Sequence, residues 1–132
     1  MLTLHHIGVL VSDLEHAISV YRELFPTIST PVLISAAGVR VCFVNTGSDV
    51  AIELIEPVGD DSVVRPLIKR GISYYHLGYF VREFDTVLVK LADLGYRRLN
   101  IFRSEAFEQR RCAFLMSPVL HLIEIIETTT SP

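Results

Sequence analysis

Two halves of this chain repeat each other, and the repeat constrains the fold more than any other feature of the sequence. The first match lies at an offset of 70 residues, and the other two lie at an offset of 71. The matched segments are 4–11 with 74–81, 42–44 with 113–115, and 52–56 with 123–127. Because the matches keep their order and differ by one residue of slippage, they predict a duplicated module.

Each half shows the same order of elements, a strand, a helix and three further strands. Alternating β-branched and apolar residues predict the strands, and helical spacing of apolar residues predicts the helices. Asp13 is placed to cap the first helix before Pro26 ends it, and Gly95 closes the second helix, at 84–94. The predicted strands are 3–11, 28–34, 39–45 and 50–57 in the first half, and 73–82, 96–102, 110–117 and 120–127 in the second.

The repeat also divides the chain. We expect a first βαβββ module at 1–57 and a second at 73–128. A linker with a short helix joins them at 58–72, and a tail follows at 129–132.

Within the first strand, period two places Leu4, His6, Gly8 and Leu10 on one face. The repeat matches His6 with a second histidine, His76, whereas the neighbouring His5 aligns with Tyr75. The repeat therefore selects His6 rather than His5 as a candidate metal ligand.

Two glutamates, Glu53 and Glu124, lie at matched positions in strands otherwise rich in Ile and Leu. A buried carboxylate on such a strand is costly unless it is compensated, and exposure at a sheet edge is the alternative explanation for either residue alone. Two imidazoles and two carboxylates around a divalent cation form a neutral cluster. The matched set therefore predicts a metal site made of His6, Glu53, His76 and Glu124.

The predicted donor set is two nitrogens and two oxygens, without sulfur. That set disfavours a closed structural zinc site and suits Co, Ni, Mn, Fe or Zn with open coordination positions. An open position would accept a carbonyl oxygen and stabilise the enolate that forms after proton loss.

Composition excludes several classes of function. Half of the 132 residues are apolar and the net charge is -3, which gives no basic surface for nucleic acid or an anionic membrane. Two cysteines are too few for a disulfide scaffold. We find no apolar run long enough to span a membrane and no signal peptide pattern after Met1, so we expect a cytoplasmic protein.

Three motifs resemble the metal-ligand strands of the vicinal oxygen chelate superfamily, which includes glyoxalase I, extradiol dioxygenases, bleomycin-resistance proteins and methylmalonyl-CoA epimerase. They are LHHIGV at 4–9 followed by Asp13 and Leu14, IELIEP at 52–57, and LIEI at 122–125. The resemblance implies an α+β fold in which the two modules form one curved mixed sheet around the metal. It also implies a homodimer.

Further segments are similar to the methylmalonyl-CoA epimerase branch: EPVGDDS at 56–62, LIKRG at 67–71 and HLG at 76–78. This resemblance implies an acyl-CoA or related carbonyl substrate whose thioester carbonyl chelates the metal while a base removes the neighbouring proton. It assigns that proton transfer to Glu124, one of the four ligands.

One position departs from the epimerase pattern, which carries a second acid about seventeen residues before the ligand on the fourth strand. The matching residue is Ala36, which cannot move a proton, so Glu105, Glu108 or water would have to replace the acid. Another isomerase, lyase or cyclase of the superfamily therefore stays open, as does a non-catalytic small-molecule binding or resistance protein. The glyoxalase I pattern fits less well because Pro57 occupies the place of its Asn. An extradiol dioxygenase uses two His and one Glu and fits poorly too.

Overall fold

The computed structural model describes residues 1–128, so the predicted tail at 129–132 lies outside the described residues. The strands are β1 (Thr3–Leu10), β2 (Val32–Ile34), β3 (Val39–Val44), β4 (Ala51–Pro57), β5 (Tyr74–Val81), β6 (Arg97–Ser104), β7 (Arg110–Met116) and β8 (Leu122–Glu127). The helices are α1 (Leu14–Arg22), α2 (Arg65–Lys69) and α3 (Phe84–Asp93), with a 3₁₀ turn at Glu105–Phe107. None of these helices has the length and apolar character needed to cross a bilayer.

These eight strands form one sheet in the order β2-β3-β4-β1-β5-β8-β7-β6, curled into a half-barrel. The fold is therefore the predicted α+β arrangement of a curved mixed sheet. β1 and β5 pair antiparallel at the centre. In each half the first strand runs parallel to the last, β1 with β4 and β5 with β8. This symmetry brings matched positions of the two halves to the middle of the sheet.

Helices α1 and α3 cover the outer face of the sheet. Leu14 and Ile18 of α1 pack against Leu54 of β4, and α3 packs in the same way against Ile123 and Ile125 of β8. Because side chains alternate along a strand, the residues beside Leu54 and Ile125 point to the inner face. Glu53, which precedes Leu54, and Glu124, which precedes Ile125, therefore point to the inner face.

A second matched set, which we did not predict, ties each helix to the outer surface of its module. An arginine in the third strand of each module pairs with an acid on the helix and with a second acid at the end of the fourth strand. The sets are Arg40 with Glu15 and Glu56, and Arg111 with Asp85 and Glu127. Corresponding members of the two sets are 70 or 71 residues apart, which are the offsets of the repeat. A search of the repeat for matched charged residues would therefore have identified them.

One predicted strand is shorter in the structure. The prediction of 28–34 becomes Val32–Ile34, with Ile28 making only an isolated bridge to Val44. Pro31 lies between them, and proline has no amide hydrogen for the sheet ladder. The other strand predictions and the prediction of α3 agree with the structure to within two residues at each end. Helix α1 is shorter than predicted, because it ends at Arg22, with Glu23 as its C-cap, and does not continue to Pro26. Proline disfavours helical backbone in the residue before it, so the helix ends short of Pro26.

Candidate metal centre

The four predicted side chains meet at one buried point on the inner face of the sheet. His6, Glu53, His76 and Glu124 are between 0% and 4% exposed. Each of the four offers one donor atom, and these donor atoms lie within 4.8 Å of one another. The two histidine Nε2 atoms are 2.9 Å apart, and each lies 3.2–3.3 Å from both carboxylate Oε1 atoms.

Two glycines make this meeting possible. Gly8 lies opposite His76, and a Cβ on Gly8 would lie 2.5 Å from the His76 ring. Gly78 lies opposite His6, and a Cβ there would collide with the His6 ring. Each histidine therefore occupies the space that the glycine of the other module leaves. This explains why the His and the Gly are among the residues that the repeat keeps.

The charged groups of the cluster strongly shift one another's pKa values. Burial alone would lower the pKa of His6, but the carboxylates of Glu53 and Glu124 outweigh burial and raise it to about 10. Burial would raise the pKa of Glu53, but His6 and His76 lower it to about 2. The pKa of His76 is raised and that of Glu124 is lowered by the same contacts. Without a metal ion, the cluster therefore holds two protons on imidazoles facing two carboxylates.

The residues of the cluster fit a divalent cation. Two protons and one M²⁺ ion carry the same charge, so an ion that displaces the protons leaves the buried cluster neutral. Donor atoms that bind one such ion at about 2.1 Å lie roughly 3 Å from each other, close to the separations found here. Two Nε2 atoms at 2.9 Å would repel each other if both N–H groups pointed along that line, whereas two lone pairs converging on a cation are favourable.

A small cavity of about 20 Å³ adjoins the cluster. That volume holds about one water molecule, so a larger ligand requires its walls to move. The lining is mainly apolar: Ile34, Ala37, Val39, Val41, Ile55, Val63, Val64, Tyr75, Phe102 and Phe114, together with Glu53, His76 and Glu124. Ala37, Val63, Tyr75 and Phe114 also line a neighbouring cavity of about 230 Å³, and we refer to this adjoining cavity as the mouth.

The acids considered as replacements at Ala36 do not line the cavity beside the cluster. Ala36 itself lines the mouth. The Glu105 carboxylate accepts hydrogen bonds from the Ser35 amide at 3.2 Å and from the Ser35 hydroxyl at 2.6 Å. Glu108 is exposed and faces Arg110 at 3.6 Å. Among the residues lining this cavity, the carboxylates are those of Glu53 and Glu124.

Strand alternation missed one neighbour of the cluster. Leu4 pairs with Tyr79 and His6 with Gly78, which leaves His5 as the extra residue of a β-bulge in β1. The bulge brings Nδ1 of His5 to 2.8 Å from Nδ1 of His6. The repeat matches 4–11 with 74–81 without an insertion, so it contains no signal for the bulge or for this contact.

Comparisons with known proteins place these residues in context. A family model described as the glyoxalase/bleomycin resistance protein/dioxygenase superfamily matches residues 5–114. The mitochondrial methylmalonyl-CoA epimerase of Bos taurus is 32% identical over 104 residues, which are 78% of this chain. The chain spans only 58% of the length of that relative.

Solved structures agree in fold over almost the whole chain. Methylmalonyl-CoA epimerase from Mycobacterium tuberculosis has a TM-score of 0.84 at 27% identity, covering 97% of this chain and 89% of its own. A Streptomyces coelicolor methylmalonyl-CoA epimerase variant in complex with 2-nitronate-propionyl-CoA has a TM-score of 0.81 at 25% identity, with both chains covered completely.

Proposed function

Because this chain belongs to the glyoxalase/bleomycin resistance protein/dioxygenase superfamily, we propose that it is a metal-dependent enzyme that removes a proton next to a carbonyl group. The reaction we propose is epimerisation of an acyl-CoA, as in methylmalonyl-CoA epimerase. The observation that carries the proposal is the buried cluster of two imidazoles and two carboxylates opening on an apolar cavity.

We assign the metal to His6, Glu53, His76 and Glu124. The ion itself stays open among Co, Ni, Mn, Zn and Fe, because the donor set suits each of them. A divalent ion held there would polarise a carbonyl oxygen and make the hydrogen on the neighbouring carbon more acidic.

The side chains of this protein would move the proton. Glu124 lines the cavity, and a carboxylate positioned next to a substrate carbon is a suitable base. In the proposed step Glu124 takes the proton from the carbon next to the thioester, and the electron pair moves to the carbonyl oxygen. The return of a proton to the opposite face would invert the centre, and water would be the donor because the described residues lining the cavity include no acid other than the two ligand glutamates. The apolar walls would exclude bulk water and so protect the enolate from side reactions.

The relatives and the shape of the site support the proposed substrate class. The Streptomyces coelicolor variant is in complex with an acyl-CoA analogue, and its fold matches this chain from end to end. The mouth is lined by Ala36, Leu99 and Asn100 among others, which suits a largely uncharged part of the substrate with few polar groups.

The cytoplasmic location and the homodimer stay predictions.

A second candidate function is favoured by the single pair of carboxylates in the cavity. With Ala36 at the mouth and Glu105 bonded to Ser35, the described residues that line the two cavities include no acid other than the ligands Glu53 and Glu124. An isomerase, lyase or cyclase of the superfamily that needs one base would also fit this arrangement.

Deuterium exchange at C2 of methylmalonyl-CoA in D₂O tests the proposal. The wild-type protein loaded with Co²⁺ should exchange the C2 hydrogen and interconvert the two epimers. Replacing Glu124 by Gln should lower the exchange rate by about 10²-fold or more because it removes the base. The control is E23Q, which changes an exposed glutamate at the end of α1. Exchange without epimerisation would favour the second candidate, and no exchange with metal-loaded protein would contradict the epimerase proposal.

A further inference from the structure

We infer that His5 is a positioning residue that fixes the ring of His6 in the metal site. The inference rests on the metal site proposed above and concerns how one ligand is held. It starts from the β-bulge in β1, because that bulge turns the His5 side chain toward the cluster instead of away from it.

The hydrogen bond between the two rings has a defined direction. The Nδ1 atoms of His5 and His6 are 2.8 Å apart, so one of them donates and the other accepts. Nε2 of His6 points into the cluster, where binding a cation requires its lone pair. The hydrogen of the His6 ring then lies on Nδ1, and His6 donates to Nδ1 of His5.

His5 is itself held in place. Its ring stacks on Phe80 with the centroids 4.2 Å apart and the planes 27° apart. The rings of Phe43 and Phe107 approach it edge-on at 5.6 and 5.7 Å. A stacked and enclosed ring keeps its acceptor nitrogen at a fixed point, which in turn fixes the rotation of the His6 ring.

The second module has the bulge but lacks this hydrogen bond. Gly8 pairs with His76 and Val9 with Tyr74, so Tyr75 is the extra residue in β5. The Tyr75 ring meets His76 edge-on at 4.9 Å, as His5 meets His6 at 5.1 Å. Within the described residues, however, the buried Nδ1 of His76 has no hydrogen-bond partner. The two imidazoles are therefore inequivalent, and His6 is the more firmly oriented one.

Titration of the metal-free protein with Co²⁺ tests this role. H5F keeps a ring to stack on Phe80 but removes the acceptor, and we expect it to weaken Co²⁺ binding by about 10–100-fold. H5N places an amide oxygen close to the position of Nδ1 and should bind within about threefold of wild type. H16F, at an exposed histidine on α1, is the matched control and should bind like wild type.

A spectroscopic signature separates positioning from general stability. In the Co²⁺-loaded wild type, proton NMR should show two exchangeable imidazole N–H signals, of which the His6 signal exchanges more slowly with water. H5F should lose that slow signal and keep the signal of His76. This wild-type spectrum decides the inference even if H5F does not fold: equal exchange of the two signals would overturn it.

The outcomes also separate this inference from the proposed function. If wild type binds Co²⁺ and H5F binds it within twofold, the positioning role is wrong while the metal site stands. If wild type binds no Co²⁺ at all, both the metal site and the positioning role are overturned.

Discussion

At the scale of single residues, the cluster depends as much on two glycines as on its donors. A side chain at Gly78 would occupy the space of the His6 ring. We expect G78A to displace that ring and weaken Co²⁺ binding by about tenfold or more, as loss of ligand orientation does elsewhere.

G47A provides the control for a glycine substitution. Gly47 has φ of +84° in a turn and nothing within 4 Å of the added Cβ, so G47A should cost some stability without affecting the metal. Co²⁺ titrations and melting curves of both variants measure the two effects. Metal binding by G78A as tight as that of G47A would show that the contact with His6 is unimportant.

The ionisation of the cluster gives the metal-free protein a defined pH profile. The raised pKa of His6, about 10 against 6.5, contributes stability that is complete below pH 6.5 and is lost as pH rises through about 10. The lowered pKa of Glu53, about 2 against 4.5, contributes stability that is complete above pH 4.5 and is lost as pH falls through about 2. We therefore expect the highest Tm in EDTA between pH 4.5 and 6.5.

Melting curves from pH 2 to 10, with EDTA and with Co²⁺, check this profile. Added Co²⁺ should remove the alkaline loss, because the ion replaces the protons that the histidines give up. A metal-free Tm that keeps rising above pH 8 would be inconsistent with paired imidazolium and carboxylate groups.

The sequence could identify the members of the cluster because each of them has a residue of the same type at the matched position of the other half. One glutamate among apolar residues is ambiguous, but Glu53 and Glu124 at matched positions are not. The contact of His5 with His6 could not be predicted, because it depends on a bulge that alternation does not reveal.

At the scale of elements, helices α1 and α3 are each joined to the sheet by the ion pairs of one arginine. Arg111 bonds both carboxylate oxygens of Asp85 at 3.0 and 3.1 Å and Glu127 at 2.7 Å, and its guanidinium lies 4.6 Å from the Phe84 ring centroid. Since one side chain joins α3 to β7 and β8, R111M should lower the Tm by about 3–6 °C.

The neighbouring Arg110 is the matched control for R111M. Its contact with Glu108 is 3.6 Å long and exposed, so R110M should change the Tm little. Melting curves of the two metal-free variants make the comparison. Equal Tm values for both would mean that the matched arginine sets do not hold the helices.

Element boundaries were predictable where a cap or a breaker is local. Asp13 accepts a hydrogen bond from the His16 amide and starts α1 as expected. β2 was overestimated because Pro31 interrupts the ladder within a segment of otherwise suitable residues. The sheet order was not predictable from local pattern, because it depends on pairing of β1 with β5 across about 70 residues.

At the scale of the whole molecule, the matched topology of the two halves explains the position of the site. Because the halves pair through their first strands, β1 and β5, matched residues lie on both sides of one seam. Four residues that are individually unfavourable in a core then share one centre and compensate each other. Metal binding should accordingly stabilise the whole fold, because the ion binds the folded state and the unfolded chain has no such centre.

The most direct test of this account is X-ray absorption of the protein loaded with Co²⁺, with the metal content determined on the same sample. We predict one ion per chain with only nitrogen and oxygen neighbours at about 2.0–2.2 Å, including two imidazoles. The buried thiol of Cys112, whose pKa is raised mainly by burial, should not contribute a sulfur neighbour. A sulfur neighbour, a shell without imidazole, or no bound ion when Co²⁺ is in excess would contradict the four-residue site.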